Sequence, residues 1–467
     1  MNVRLLLLAA VAAVAGCSVQ PPYRPPQLEV PANWKTEPGW SLARPDDAAV
    51  RGAWWRRFGD AQLDALEEQA QAASPNLEAA AARLAQARSQ VDVQAAGLFP
   101  QLSTNVRAAR QEISANRPLT NLNAPNFQTV QNDFGLNFSV AYEADLWGRV
   151  RGSVEAARAA AEQSEADLQN VRLVLATDLA ANYFNLRELD IELEVLAQSI
   201  ALQRRALELA TARHQLGATS GLDVAQQQAL LDNTLTQVDV LRRQRSQFET
   251  ALAALVGRPA PLFSVAAEVG PRVAPAIPVA LPAEVLQRRP DVASAERAMA
   301  AANAQIGVAR AAYYPSVILN PTLGVDSRTL ASVFDASSLL WSLGVSVAQP
   351  LIDAGRTDAN VAIAQAGYQL AVANYRRAVL TSFQEVQDGI NGSAALDRAL
   401  AQSRLAERSA QRVLDLATDR YEGGAASYLE VITAQQALLN AQRQVAQLLG
   451  QRLLVSVLLV KAVGGDW

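Results

Sequence analysis

The sequence predicts a mainly α-helical protein carrying a small membrane-type β-sheet, the whole built by internal tandem duplication. Three observations predict it. Matched residues recur at constant offsets: Pro75 and Pro290, Gln90 and Gln305, Val91 and Ile306, and Pro100 and Pro315 stand about 215 residues apart by subtraction. Leu136 and Leu343, Gly148 and Gly355, Arg149 and Arg356, Gly217 and Gly424, and Gly257 and Gly464 stand about 207 apart, so one indel of roughly 8 residues separates two regular blocks. Two Pro-free stretches, Gly152 to Arg213 and Thr357 to Arg420, each hold about 60 residues and reach on the order of 90 Å as helices. Finally, large apolar residues alternate with small or polar ones in Phe134 to Tyr142 and again, in the same phase, in Trp341 to Ala348.

Composition bounds the function. With 467 residues, 50% of them hydrophobic, the chain has ample material for a large fold, and a net charge of −4 points away from nucleic acid. A single Cys excludes internal disulfides and Cys-based zinc clusters. That Cys ends a leader. Arg4 precedes the apolar run Leu5 to Val14, followed by Val14-Ala15-Gly16-Cys17, a secretory signal too short to span a bilayer. The tetrad resembles the bacterial lipobox, in which the Cys becomes the lipidated first residue of the mature chain; Ser18 after it implies export to the outer membrane. Pro21, Pro22, Pro25, Pro26 and Pro31 then write an extended tether.

The next segment, with Trp34, Trp40, Trp54, Trp55 and Phe58, reads as packing or an interface. Pro75 to Ala96 is helix, written in Ala, Leu, Arg and Gln. Strands follow from Pro100. Leu102, Thr104 and Val106 match Val317, Leu319 and Pro321 in the repeat, and Pro321 in a central strand suggests a bulge or an edge. Loops are expected at Asn116 to Asn132 and Asp326 to Ser338. Four strands of roughly 10 residues suit a tilted membrane sheet with Phe, Leu, Val and Trp toward lipid and the small residues toward a lumen. Open sheet edges are prohibitively costly in hydrocarbon, so several chains must share one barrel.

Each long helix ends at a glycine-bearing tip: Gly217 and Gly221 in the first hairpin, Gly423 and Gly424 in the second. Ser220 with Asp223, and Ser427 with Glu430, look like caps that restart a helix. The return helices are expected at Asp223 to Val256 and Glu430 to Val463. Their stripes run Leu231, Leu235, Val238, Arg242, Arg245, Phe248, Leu252, Leu255, and Gln435, Leu438, Gln442, Val445, Leu449, with the Gln and Arg suited to a wet interior. The Pro-rich stretch Arg258 to Pro290 joins the halves. No mature segment approaches 18 continuous apolar residues, which predicts no transmembrane helix. One His (His214), the absence of a Gly-rich phosphate loop and the absence of metal-ligand spacing leave no catalytic, cofactor or metal site to assign, and predict a passive conduit rather than an enzyme.

A lipobox, a duplicated helix–strand–strand–hairpin unit and two Gly-bearing tips together resemble the TolC/OprM-type outer membrane factors, the NodT-like lipoprotein channels. The likeness covers essentially the whole mature chain. It implies a homotrimer with a 12-stranded barrel, four strands per chain, in the outer membrane of a Gram-negative bacterium, continued by a long periplasmic α-helical barrel. It implies a tripartite efflux pump, with a periplasmic adaptor and an inner-membrane transporter of the resistance-nodulation-division type as partners, outer-membrane lipid around it, and no cofactor beyond the lipid on Cys17. Segments then read as signal peptide 1–16, lipidated tether and equatorial segment 17–66, first repeat 67–257, equatorial connector 258–289, and second repeat with the C-terminal end 290–467.

The same resemblance implies gate residues. Leu429 and Glu430 match an apolar and an acidic ring, with Thr433 one turn on where OprM-like chains tend to have Asp. Tyr421 and Asp223 match residues that link neighbouring hairpins, while the Arg of the TolC-like second tip is Ala426 here. Glu430 and Asp223 equally satisfy a first-turn helix position, where acids complement the dipole. A TolC-like protein-secretion channel would use the same fold; a structural lipoprotein spacer would leave the alternating strands unexplained. Cys17→Ser should abolish lipidation yet leave the assembled barrel in place, because one lipid adds only modest, reversible membrane affinity. Globomycin-insensitive processing of the wild-type chain would refute the lipid anchor.

Overall fold

The computed structural model describes residues 19–35, 52–116, 128–270, 272–279 and 282–465; the leader, Cys17, Ser18 and Trp40 lie outside the described residues. In chain order come α1 (Ala61–Ala73), α2 (Pro75–Ala96), β1 (Gln101–Ile113), β2 (Thr129–Glu143), α3 (Arg149–Gln215) and α4 (Gly221–Leu255). The second half holds α5 (Pro282–Arg288), α6 (Pro290–Ala311), β3 (Ser316–Leu319), β4 (Thr322–Ser327), β5 (Leu339–Ser342), β6 (Val345–Ala348), α7 (Arg356–Glu422) and α8 (Tyr428–Ala462). Helix lengths repeat between the halves: 22 residues for α2 and α6, 67 for α3 and α7, 35 for α4 and α8. Left-handed glycines recur with them at Gly148 and Gly355, Gly217 and Gly424, and Gly257 and Gly464.

Two compact units divide the chain. The first comprises Met1–Gln27, Arg83–Ser164 and Ser294–Tyr375 and contains the sheet. Every pairing is antiparallel, with β1 beside β2, β2 beside both β3 and β4, β3 beside β6 and β4 beside β5. β3–β4 and β5–β6 are each one strand with a break. Pro321 causes the first break. Val140 donates its N–H to Pro321 O at 3.0 Å, and Pro321 has no N–H to return. Leu319 still faces Tyr142 and Thr322 still faces Ser139, so the register passes through unchanged in a central strand. The bulge or edge expected at Pro321 is therefore a single missing ladder bond. β2 also starts at Thr129, inside the stretch expected as loop, and β4 runs on to Ser327.

Alternation sorts the sheet faces. Thr104, Phe138, Leu323 and Trp341 form one cross-strand row, and Ser103, Ser139, Thr322 and Ser342 the next, on the opposite face. The first face leaves large apolar groups exposed, including Leu102, Phe138, Leu323, Trp341 (67%), Val345 and Val347. β1 and the β5–β6 strand each pair with one neighbour, so among the described residues their outer edges carry ladder groups with no strand beside them.

The tether is fastened to this unit. Val19 N–H donates to Trp147 O (3.4 Å), Gln20 Nε2 to Glu155 Oε2 (2.7 Å) and the Tyr23 hydroxyl to Glu296 Oε1 (2.5 Å), while Pro21 O accepts from Asn303 Nδ2 (3.0 Å). A Cβ at Gly307 would lie 3.0 Å from Gln20 Cα, so glycine lets the strap sit down on α6. Beside Val19, Trp147 stacks on Tyr314 with ring centroids 4.7 Å apart.

The second unit, Leu28–Ala82, Glu165–Ala293 and Arg376–Trp467, holds the hairpins. Its aromatics pack: Trp34 meets Phe383 edge-on, and Trp54 meets both Trp55 and Phe58. Fully buried Asp190 accepts from Arg187 Nη1 and Arg245 Nε, both at 2.6 Å, and the two guanidinia also donate to Ala266 O and Val265 O of the connector. At the repeat-equivalent place Arg452 Nε donates to Asp397 Oδ1 (2.7 Å). The buried Asp190, Arg187 and Arg245 tolerate burial because each finds several partners; Asp397 is more than half exposed.

The buried seam of α4 is Gln227, Leu230, Leu231, Thr234, Leu241, Leu252 and Ala253. Leu235 and Arg242 of the expected stripe are exposed, Arg242 pairing with Asp239 on the surface. A residue set at alternating spacings of 3 and 4 fits two adjacent rows on one helix, and polar Gln227 and Thr234 mark the row that is buried. Of the expected second stripe, Gln435 is buried and Gln442 half-buried. α8 is long and apolar enough to cross a bilayer by length and composition, yet half of that window is buried against the rest of the chain.

Glu67 on α1 is fully buried with neither carboxyl oxygen hydrogen-bonded. Burial, with Asp64 adding repulsion, pushes its carboxyl up to about 9. The folded chain thus holds this proton at pH values where the unfolded chain, near 4.3, has lost it. Stability should fall as pH rises from about 4.3 to about 9 and level off above. Glu67→Gln should be more stable than wild type at pH 8 by roughly a few kcal/mol, the gap closing near pH 4 in thermal unfolding.

Candidate functional site

Both hairpin tips are built by the same backbone device. Gly217 and Gly424 adopt φ of 73°, and the following N–H, of Ala218 or Ala425, donates back to Arg213 O or Arg420 O at 2.8 Å. This closes α3 and α7 with a six-residue return that an L side chain would strain. Gly221 opens α4, and Gly423 precedes the turn; neither takes a left-handed φ. The caps differ. Ser220 Oγ accepts from Leu222 N–H at 3.1 Å, whereas Ser427 makes no side-chain cap bond, contrary to the matched pattern in sequence.

Each candidate gate residue has a definite place. Leu429 is exposed on the first turn of α8. Glu430 lies 3.4 Å from Arg420 Nη1, across its own turn, with both side chains about half exposed. Such a pair is worth little in water. Thr433 donates its hydroxyl to Leu429 O at 2.8 Å, so it is bonded to its own helix. Asp223 is half-buried in the first turn of α4. Tyr421 lies under the Arg213 guanidinium (4.8 Å to the ring centroid) and beside the Tyr428 ring (4.9 Å), and its buried hydroxyl has no partner among the described residues.

One contact that joins the two hairpins of this chain near the tips was not legible in the sequence, nor were the bonds lower down, from Arg443 and Gln447 to Glu192 and from Arg443 to Gln237. The Tyr428 hydroxyl donates to Gln227 Oε1 at 3.0 Å, with both groups buried. Burial raises the Tyr428 hydroxyl well above the usual phenol range, and the Tyr421 and Asp223 charges raise it further. Ala210, Leu414, Ala417, Val431, Ala434 and Leu438 pack round the ring. An aromatic directly after a cap serine was the one available signal. Among the described residues no group of three or more His, Cys, Asp or Glu is placed to hold a metal.

Comparison with known proteins agrees over nearly the full length. Residues 66–258 and 281–465 match the model of the outer membrane efflux protein family. The chain is 31% identical over 464 residues to the pyoverdine export outer membrane protein OpmQ of Pseudomonas aeruginosa, covering 99% of this chain and 97% of that one. It is 28% identical to the cation efflux system protein CusC of Escherichia coli, covering 99% of each. Among solved structures, the outer-membrane channel OprN superposes with a TM-score of 0.89 at 26% identity, covering 97% of this chain and 100% of that one. The chain belongs to the outer membrane efflux protein family, and its role is that of an outer membrane channel in efflux.

At the tips, Ser220→Ala should cost about 1 kcal/mol of local stability, the usual value of a lost cap, and Ser427→Ala only a few tenths. Amide exchange at Leu222 and Leu429 checks this; equal effects would mean that the two tips are capped alike.

Proposed function

We propose that this chain is the outer membrane component of a tripartite efflux pump, a lipid-anchored homotrimer that conducts substrate passively. The observation that carries the proposal is the sheet. Its four strands expose large apolar groups on one face, carry mostly Ser, Asn, Gly, Thr and charged residues on the other, and leave both outer edges without a strand partner among the described residues. Three copies close these edges into one 12-stranded barrel, apolar outside and polar within, which removes the cost of unpaired backbone in hydrocarbon. Cys17 carries the lipid. Equal helix lengths and matched left-handed glycines support a tandem duplication, so three chains supply six similar hairpins to a helical duct.

The tips form the constriction. Three copies of Leu429 narrow it, and three of Glu430, each tied to its own Arg420, line it. A periplasmic adaptor meets the tips, and an inner-membrane transporter of the resistance-nodulation-division type supplies the energy. Relatives named for pyoverdine export and for cation efflux share the full length of the chain, which supports a conduit whose cargo is chosen elsewhere.

Planar-bilayer recording tests the proposal. Leu429→Ala with Glu430→Ala should raise the conductance of the isolated protein. Phe138→Arg should block assembly, at roughly 2–4 kcal/mol near the bilayer midplane, while Ser139→Arg should assemble and shift ion selectivity. A protein that never conducts, or equal damage on both sheet faces, would refute the reading.

A further inference from the structure

We infer that Arg107, Asp133 and Asp326 form a charged rung midway along the sheet, which makes the barrel lumen prefer cations to anions whatever the state of the tips. The inference rests on the barrel reading above. Backbone register brings the three residues together. Arg107 on β1 faces Gly135 on β2, and Gly135 faces Asp326 on β4, so one cross-strand row runs from Arg107 to Asp326. Asp133 lies two residues along β2 from Gly135 and therefore on the same face. Arg107 Nε meets Asp133 Oδ2 at 3.2 Å, and the Asp326 carboxyl comes within hydrogen-bonding reach of Asp133 from the strand on the other side. Gly135 makes room for the cluster. A Cβ there would meet no atom nearer than 3.6 Å, so backbone packing does not require the glycine, and its bare position leaves space between Arg107 and Asp326.

This is the face of Ser103, Ser139 and Thr322, opposite to that of Phe138, Leu323 and Trp341. The adjoining row, Asn105, Asn137 and Gly324, is neutral. Among the described strand residues this face carries one further charge, Glu143, which accepts from Arg149 Nε at 2.7 Å where the strand runs out toward α3. An ionised group midway along a membrane strand persists only where water or a partner meets it, and such a group marks a pathway by default. The Arg107 side chain is still 54% exposed beside its partner. One guanidinium and two carboxylates leave each copy one negative charge in excess. Copies closed round one lumen add these charges at a single level. A ring of this kind between low-dielectric walls concentrates cations and repels anions.

The test reads the potential at the rung directly, without current through the tips. Asn105→Cys, on the adjoining row about 7 Å along the strand, is placed in the full chain in lipid vesicles and treated with thiol reagents of equal size, one bearing an ammonium and one a sulfonate. Wild type, whose only cysteine is Cys17, is the reagent control. The ammonium reagent should react faster. Adding Asp326→Asn should cut the ratio of the two rates by roughly 3- to 10-fold near 0.1 M salt, and adding Arg107→Gln should raise it. Both shifts should shrink in 1 M salt, where screening acts within ~3 Å. Asp326→Glu, which keeps the charge, should keep the ratio. A role in strand pairing alone would lower thermal stability in both neutral variants and move the ratio in neither. A reactive Asn105→Cys whose ratio ignores Asp326→Asn and Arg107→Gln therefore overturns the rung and leaves the lumen standing. Val106→Cys, one residue along on the apolar face, should react with neither reagent; if it reacts as fast as Asn105→Cys, the barrel reading fails and the inference with it.

Discussion

An unpaired backbone edge is the constraint on which this chain is organised. A four-stranded antiparallel sheet exposes ladder groups along β1 and along β5–β6, and one of its faces leaves Leu, Val, Phe and Trp side chains exposed. Water would satisfy the edges but not the apolar face, and hydrocarbon would do the opposite. The barrel proposed above, closed against further copies, would meet both demands. The Ser, Asn, Gly and Thr residues of the opposite face suit the lumen proposed above, which large side chains would fill.

The hairpins solve a different problem with different chemistry. Long helices rich in Ala, Gln and Arg have a thin apolar stripe, so packing alone positions them weakly. Buried polar groups with fixed geometry add specificity where apolar area is short. Asp190 between Arg187 and Arg245 ties the connector to the first hairpin, and the Gln227 amide ties the tips to each other. The charged site lies where many partners can be gathered, and the neutral one where few can. This division matches the cost of burying ions with incomplete pairing.

Much of this was legible in the sequence because it is written in strong signals. The offset repeat, the Pro-free helices and the tip glycines all concern the backbone, and the backbone obeys few rules. The helices begin and end within a few residues of the expected places, at Arg149 rather than Gly152 and at Glu422 rather than Arg420. What escaped concerns side chains choosing between near-equal options. Leu235 and Leu230 lie on adjacent rows of α4, and only the partners of Gln227 decide which row turns inward. Ser220 and Ser427 occupy the same motif, yet one bonds and the other does not. Pro321 announced a disturbance, but not that the register would survive it. The hydrogen bond of Tyr428 needs a residue 201 positions away, which no local pattern announces.

Gly324 gives the sheet a way to reject wrong alignments. A Cβ there would lie 2.1 Å from Asn137 Oδ1, so the Asn137 side chain occupies the space that any other residue on β4 would fill. Sliding β4 by two residues would set Asn137 over Thr322 or Asp326, both of which carry a Cβ, and sliding by one would turn every side chain to the wrong face. The central strand pair therefore accepts a single offset. In a closed barrel the sum of such offsets is the shear, and shear with strand number sets tilt and diameter. In the barrel proposed above, a glycine and an asparagine in the middle of one chain would thus help to fix the bore.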